Sequence, residues 1–350
     1  MTRSLKVGIV GYGFATQVFH APLIQSVPGL DLVAVASSDP AKVAAALPGV
    51  AVDARPEALF ARPELDLVVI PTPNASHHPL AAQALAAGKH VVVDKPFTLD
   101  AAEARDLIQR AEQAGRILSV FHNRRWDADF LTIRALLDRD ELGRVTHFES
   151  HFDRFRPHVG QRWRESGEPG GGLWYDLGSH LLDQALCLFG PPRTLSLELA
   201  RQRDGARADD WFHAVLGYGG PLRVILHASA LVAEPGPRFL VHGRQGSFLK
   251  WGLDPQEDAL KVGGRPGAED WGRDPLPGTV TRTQGDGLAR WVEQGPPGDY
   301  SRYYVALRDA ILLGGPNPVQ AADALRVMRL IELGQQSFRD GRAVAVDPLD

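Results

Sequence analysis

Cysteine is nearly missing from this chain, Cys187 being the only one. No intramolecular disulfide and no cysteine-based zinc site can form, and the place of Cys187 inside an apolar helical run predicts ordinary burial. Long hydrophobic runs are missing too. The best, Leu67 to Ile70 with its neighbours, falls far short of the ~18 residues of a membrane span, so no membrane partner is expected. Near the N-terminus the apolar stretch after Arg3 and Lys6 is cut by Gly8, Gly11 and Gly13. It lacks the apolar region of a signal peptide, and a cytoplasmic location is expected. Blocks of one charge sign are also lacking: the net charge is −4, with acids and bases interspersed. No basic surface for a phosphate backbone follows, so nucleic acid is not an expected partner. Lysine is scarce, at 6, 42, 89, 95, 250 and 261, against 32 arginines. Where arginine is the default cation, each lysine needs a reason.

What is present is enough for two cores. With 350 residues, 44% of them hydrophobic, two domains are expected. Over residues 1–122, apolar runs at Lys6–Val10, Leu30–Ala36, Leu65–Ile70, His90–Val93 and Ile117–Phe121 alternate with helical patterns at Pro40–Leu47, Pro79–Ala87 and Ala101–Ala114. Continuous apolar strands between helices predict an α/β Rossmann domain, a doubly wound parallel sheet covered on both faces. From 123 to 350 the texture changes. A helix over Leu173–Phe189 is followed by Thr194–Leu199, Phe212–Tyr218, Leu222–Leu231, Phe239–His242 and Ser247–Trp251, strands without intervening helices, and Val145–Phe152 precedes them. This predicts an α+β substrate-binding and oligomerisation domain with a large, open, mainly antiparallel sheet. Gly252–Asp299, crowded with Gly and Pro, reads as a long loop. Helices over Tyr303–Leu313 and Ala321–Phe338 close the chain, the C-terminal one packing back on the first domain.

The chemistry-bearing residues cluster at strand ends. Gly11 and Gly13, with Phe14 and Ala15 opening a helix, form a glycine turn after the first strand. Gly11 permits the tight turn and Gly13 lets the backbone approach a pyrophosphate at a helix N-terminus, which predicts dinucleotide binding. The second strand ends at Ser37-Ser38, where an acid for a ribose diol is expected, and Lys42 follows. Hydroxyls and a cation suit a 2′-phosphate, so NADP(H) is favoured, with NAD(H) possible. Beyond the third strand, Thr72, Asn74 and His77 read equally as cofactor contacts or as turn and cap residues. The fourth strand delivers Asp94-Lys95-Pro96. Lys95 there is a point charge able to hold a substrate hydroxyl and stabilise a developing alkoxide. A cis bond before Pro96 is expected, since it costs only about 0.5–1 kcal/mol at proline. Further on, three glycines at 170–172 precede Asp176 and His180. Four apart on a helix, a carboxylate and an imidazole share a face and poise a proton acceptor. The competing readings are a local ion pair or half of a metal site; no third ligand follows at motif spacing, so no metal is expected.

Together these motifs resemble the Gfo/Idh/MocA family of NAD(P)-dependent oxidoreductases over nearly the whole chain: the turn at Gly11 and Gly13, Thr-Pro-Asn at 72–74 with His77, Asp94-Lys95-Pro96, and the Gly171 to His180 element. Asn123-Arg124-Arg125-Trp126-Asp127 and Gly-Ser-His at 178–180 look like the branch holding the NADPH-dependent scyllo-inositol dehydrogenases. Two positions depart from the pattern: Asp94 stands for the commoner Glu, and Thr16 for the third glycine. The resemblance implies hydride transfer between the nicotinamide and a carbinol carbon of a sugar or cyclitol. His180 would act as acid/base, Lys95 would polarise the reacting oxygen, and Asp176 would bind a neighbouring hydroxyl. Asn123 would join the cofactor contacts, and Arg125, Arg154, His158 and Arg162 are candidates for other substrate hydroxyls, with structural salt bridges as the alternative. The alternative function is a non-catalytic NAD(P)-binding sensor acting through protein partners, which a damaged Lys95 or His180 position would signal; both are intact.

A last expectation concerns assembly. Val145, His147, Glu149 and His151 against Val224, Leu226 and Ala228 suggest a partly apolar open sheet face. Covering it by self-association predicts a homodimer or homotetramer, as the resemblance also implies.

Overall fold

The computed structural model describes residues 3–349 and divides them into two compact units. The first holds residues up to Asn123 together with 256–271 and 299–325; the second holds 124–255, 272–298 and 326 onward. Neither unit is one continuous stretch of chain. Two later segments return to the first unit, among them the helix Ser301–Leu313.

The first unit is built on six parallel strands: β1 (Leu5–Val10), β2 (Leu30–Ala36), β3 (Ala51–Asp53), β4 (Leu67–Ile70), β5 (His90–Val93) and β6 (Leu118–Val120), in the order β3-β2-β1-β4-β5-β6. The doubly wound sheet is as expected. Every residue of β4 is buried, as a strand covered by helices on both faces requires. The order reverses between β1 and β4, so their carboxyl ends open the crevice where such sheets bind ligands. The short strand β3 and the helix Pro56–Phe60 were not expected, because three residues carry too little periodicity to register.

The second unit carries nine strands: β7 (Val145–His151), β8 (Thr194–Ala200), β9 (Trp211–Gly217), β10 (Arg223–Ser229), β11 (Phe239–Gly243), β12 (Gly246–Lys250), β13 (Gly278–Gln284), β14 (Gly287–Glu293) and β15 (Val344–Ala345). Their order is β14-β13-β12-β11-β7-β10-β9-β8-β15. Only β7 and β10 run parallel; the other pairs are antiparallel. One face packs on the helix Ser179–Phe189: Phe148 meets Phe189 with ring centroids 5.2 Å apart, and Trp174 meets Phe212 at 5.2 Å.

Three expectations are overturned here. Val224, Leu226 and Ala228 are fully buried and lie on the covered face with Phe148. The register pairs Ile225 with Glu149 and His227 with His151, so Ile225 and His227, not Val224, Leu226 and Ala228, share the open face with Glu149 and His151. Residues 252–299 are not one loop: they hold the helix Gln256–Lys261 and the hairpin β13–β14, whose tight turn at Gly285 (φ +58) was masked by the surrounding glycines and prolines. Cys187 is exposed. The apolar run around it encircles the helix, and the core takes Leu181, Leu182 and Ala185; a residue two past Ala185 faces away. The helix Ala128–Asp138 also went unread.

Among the described residues no helix is long and apolar enough to cross a membrane.

Candidate active site

The glycine turn closes on itself. Gly11 has φ +88, open to glycine at little cost, and its N–H donates to the Ala36 carbonyl at 2.7 Å. Thr16, in the place of a third glycine, donates its hydroxyl to the Gly11 carbonyl at 2.8 Å. The helical segment then passes through a π-turn at Thr16–His20. A Cβ on Gly13 would meet nothing within 4 Å, so the turn is open above the first N–H groups of the helix, which have no intrahelical partner. Phe14 is exposed and Ala15 partly so. This is a fit for a dinucleotide pyrophosphate.

At the end of β2, Asp39 is spent as a helix cap: its carboxylate accepts from the Lys42 N–H at 3.0 Å. Ser37 and Ser38 are left at the strand end, and the Lys42 ammonium lies 6.0 Å from the Tyr12 ring of the glycine turn. The cation, on an exposed side chain, thus stands near the turn.

At β4, Ser76 Oγ lies 2.7 Å from both the Thr72 hydroxyl and the Pro73 carbonyl, while Asn74 is buried. His77 is fully buried, its Nδ1 2.9 Å from the Pro96 carbonyl and its Nε2 2.8 Å from the Thr72 carbonyl. Burial lowers its pKa, against the pull of Asp94 and of the carbonyls that face the ring. His77 thus ties the loop after β4 to the loop after β5.

The Lys95-Pro96 bond is cis, as expected. Asp94 accepts from the Lys95 N–H at 2.8 Å, and its Oδ2 lies 3.7 Å from His20 Nε2. Burial works against its ionisation, but the facing His20, with Lys95 and His77, outweighs it and brings the carboxyl down to about 2. His20 Nδ1 is in turn 2.6 Å from the Tyr304 hydroxyl. Sequence reasoning missed both residues. Tyr304 comes from a segment nearly 300 residues away that belongs to the first unit, and no motif marks it.

In the second unit, Asp176 lies in a π-turn at Trp174–Gly178, and His180, 5% exposed, follows in the helix Ser179–Phe189. The regular α-helix expected over both is therefore wider at its start, a feature frequent at functional sites. Asp176 Oδ1 is 3.2 Å from Arg164 Nε. Of the glycines before this segment, Gly172 answers to a packing need. Gly172 has φ +87, and a Cβ there would overlap the Asp209 carboxylate. Asp209 Oδ2 accepts from the Trp174 N–H at 2.7 Å. Burial raises the Asp209 carboxyl to about 6, against the pull of that N–H.

The other substrate candidates divide. Arg125 forms a two-pronged ion pair with the buried Asp183, at 2.9 Å from Nε and 2.7 Å from Nη2, which is the salt-bridge alternative. The Arg154 guanidinium stacks 4.8 Å from the Phe152 ring. His158 and Arg162 are exposed on the loop after β7. That loop is held by Arg203, itself buried, whose Nη1 donates to the Arg156 and His158 carbonyls at 3.2 Å while its Nε reaches Asp210 at 2.9 Å. Asn123 is buried at the end of the first unit.

Known proteins match this arrangement along its length. The oxidoreductase-family model of the NAD-binding Rossmann fold covers residues 5–122, and that of the C-terminal alpha/beta domain covers 134–346. The chain is 53% identical over 339 residues to the uncharacterized oxidoreductase YdgJ of Escherichia coli, covering 97% of this chain and 98% of that one. It is 37% identical over 347 residues to the NADP(+)-dependent scyllo-inositol 2-dehydrogenase IolW of Bacillus subtilis, covering 98% and 96%. A solved Yersinia pestis protein described as an oxidoreductase superposes with a TM-score of 0.96 at 53% identity, over 99% of this chain and 98% of that one. With two family domains in order and relatives aligned end to end, the chain belongs to the Gfo/Idh/MocA family of oxidoreductases, its first unit the NAD(P)-binding Rossmann domain.

Proposed function

We propose that this chain transfers a hydride between NADP(H) and a carbinol carbon of a small polyol, a sugar or cyclitol. The observation that carries the reading is Lys95. In a chain with six lysines, this one follows the end of β5, at the same carboxyl edge of the sheet as the glycine turn after β1, on a loop that His77 ties in place. Asp176 and His180 are likewise intact, and the IolW relative is named for NADP(+)-dependent oxidation of a cyclitol. NADP(H), when bound, supplies or accepts the hydride. In the oxidative direction His180 accepts the hydroxyl proton, Lys95 holds that oxygen and stabilises its developing charge, and Asp176, one oxygen of which Arg164 engages, orients a neighbouring hydroxyl. NADP(H) is preferred over NAD(H) because Asp39 is committed to its helix, leaving Lys42 and Ser38 for a 2′-phosphate, while the Ser37 hydroxyl already accepts from the Asp39 N–H at 3.1 Å.

An NADPH-oxidation assay across keto-sugars and ketocyclitols, and the reverse assay across the polyols, tests the activity. Turnover on at least one is expected; none on any, with NADPH still bound, would overturn it in favour of a sensor.

For assembly, we propose self-association through the open sheet face into a homodimer or homotetramer. Val215, Ile225, Leu240 and Leu249 sit there half-buried among the histidines. Light scattering that returns a monomer at micromolar concentration would overturn this.

A further inference from the structure

The same open face places three imidazoles in one row. β7 and β10 run parallel with His151 opposite His227, and β9 sets His213 opposite His227. Asp153, two residues past His151, completes a cluster with the first two. Its Oδ1 accepts from the Ser229 N–H at 3.0 Å and lies 3.5 Å from His227 Nε2; its Oδ2 lies 3.7 Å from His151 Nδ1. One ligand atom from each of His151, Asp153 and His227 falls within 4.8 Å of the others.

The other nitrogen of His151 is already held. Its Nε2 is 2.8 Å from Glu149 Oε2, and Glu149 Oε1 is 2.6 Å from His147 Nε2. A carboxylate on the far nitrogen is the usual way a protein fixes a metal-ligating imidazole. Metal–ligand bonds of ~2.0–2.1 Å at tetrahedral angles set donor atoms about 3.4 Å apart; Asp153 meets the two imidazoles at 3.5 and 3.7 Å through different oxygens, and side-chain rotation would draw one atom of each residue, now within 4.8 Å of the others, onto a single ion. The three side chains are 24%, 7% and 15% exposed in the single chain, and self-association through this face would enclose an ion held there.

We propose that His151, Asp153 and His227 bind one divalent transition-metal ion of the zinc class, with Glu149 orienting His151 and water at the fourth position. Two imidazoles and one carboxylate suit zinc and its neighbours over magnesium or calcium, which take mostly oxygen. His213, its ring centroid 5.6 Å from that of His227, stands beside the site and is not a ligand. Motif spacing could not reveal it, since its ligands come from strands some 75 residues apart that meet only in the sheet.

The test uses the full-length protein, untagged, stripped with a chelator and kept in its native assembly. Calorimetric titration with zinc chloride should show one ion per chain at low-micromolar affinity or tighter. His227→Gln and Asp153→Asn should each weaken binding by about 100-fold or more, and Glu149→Gln by about 10–100-fold. His242→Gln, on the same face but outside the cluster, should leave it unchanged. Cobalt(II) should give the intense visible bands of a tetrahedral site in the wild type, which needs no variant, and His151→Gln carries the same expectation should His227→Gln not fold. No saturable zinc binding, an octahedral cobalt spectrum, or binding lost with His242 and retained without His227 would each overturn the proposal. None of these readouts involves NADP(H), so they stand or fall apart from the hydride-transfer reading.

Discussion

The carboxylate of Asp209 occupies the space where a side chain on Gly172 would begin. From there it accepts the Trp174 N–H at 2.7 Å, at the start of the segment that carries Asp176 and His180. A residue on the loop before β9 thus anchors a helix start, and glycine is required because the backbone, at φ +87, is both left-handed and in contact.

Gly172→Ala should therefore destabilise the second unit. Left-handed backbone costs about 1–2 kcal/mol for a residue with a Cβ, and the overlap adds about 1–3 kcal/mol of repacking. Urea denaturation would measure the sum. In an Asp209→Ala background the cost should fall back to the backbone share, and a cycle that shows no coupling between the two sites would separate them.

Removing either proposed proton-handling or charge-stabilising group should abolish most turnover and spare the cofactor. His180→Ala is expected to lower kcat by about 10²–10⁴-fold, and Lys95→Met by about 10²–10³-fold. NADPH affinity, followed by fluorescence, should stay close to wild type for His180→Ala. Retention of most activity would assign the residue to packing alone.

Cofactor choice should turn on the end of β2. Lys42→Ala should weaken NADPH and leave NADH nearly unchanged, by about 1–2 kcal/mol if a charge-assisted contact is lost. Ser37→Asp should invert the preference toward NADH. Calorimetry that finds NADH the tighter ligand of the wild type would refute the 2′-phosphate assignment.

The first unit should lose stability in acid through His90. Its Nδ1 accepts the Ile117 N–H at 3.0 Å, so that nitrogen must be unprotonated, and burial, with nearby Arg116, lowers the pKa to about 4. An unfolded histidine takes its proton near 6.5. As pH falls from about 6.5 toward 4 the unfolded state binds a proton that the folded state refuses, so the contribution present above 6.5 is lost on the way down. His90→Asn keeps an acceptor without titrating. Its stability, compared with wild type between pH 7 and 4.5, should decline less steeply.

Much of the Rossmann unit was legible because its signals are local. A strand buried on both faces needs a continuous apolar run, and Leu67–Ile70 and His90–Val93 are such runs. The glycine turn needs only neighbours in sequence, as does the Asp94-Lys95-Pro96 element. The second unit was less legible. Its strands were found one by one, but β13 and β14 lie among glycines and prolines that conceal the alternation, and the register that sets Val224 opposite Phe148 put it on the face opposite the one expected.

What the sequence determined by itself is the set of short-range constraints: strand, glycine turn, helix start, a lysine after a strand end, and the spacing of Asp176 and His180. Tertiary structure decided which of these groups keep their valences for a ligand. Arg125 is paired with Asp183, Asp39 caps its helix and His77 faces two carbonyls, while Gly172 answers to Asp209. Only the register of distant strands set His151 beside His227. The physical reason is that hydrogen bonds and ion pairs are short-ranged and saturable, so a polar side chain's role depends on which partner the fold brings within about 3 Å, and chain separation carries no record of that.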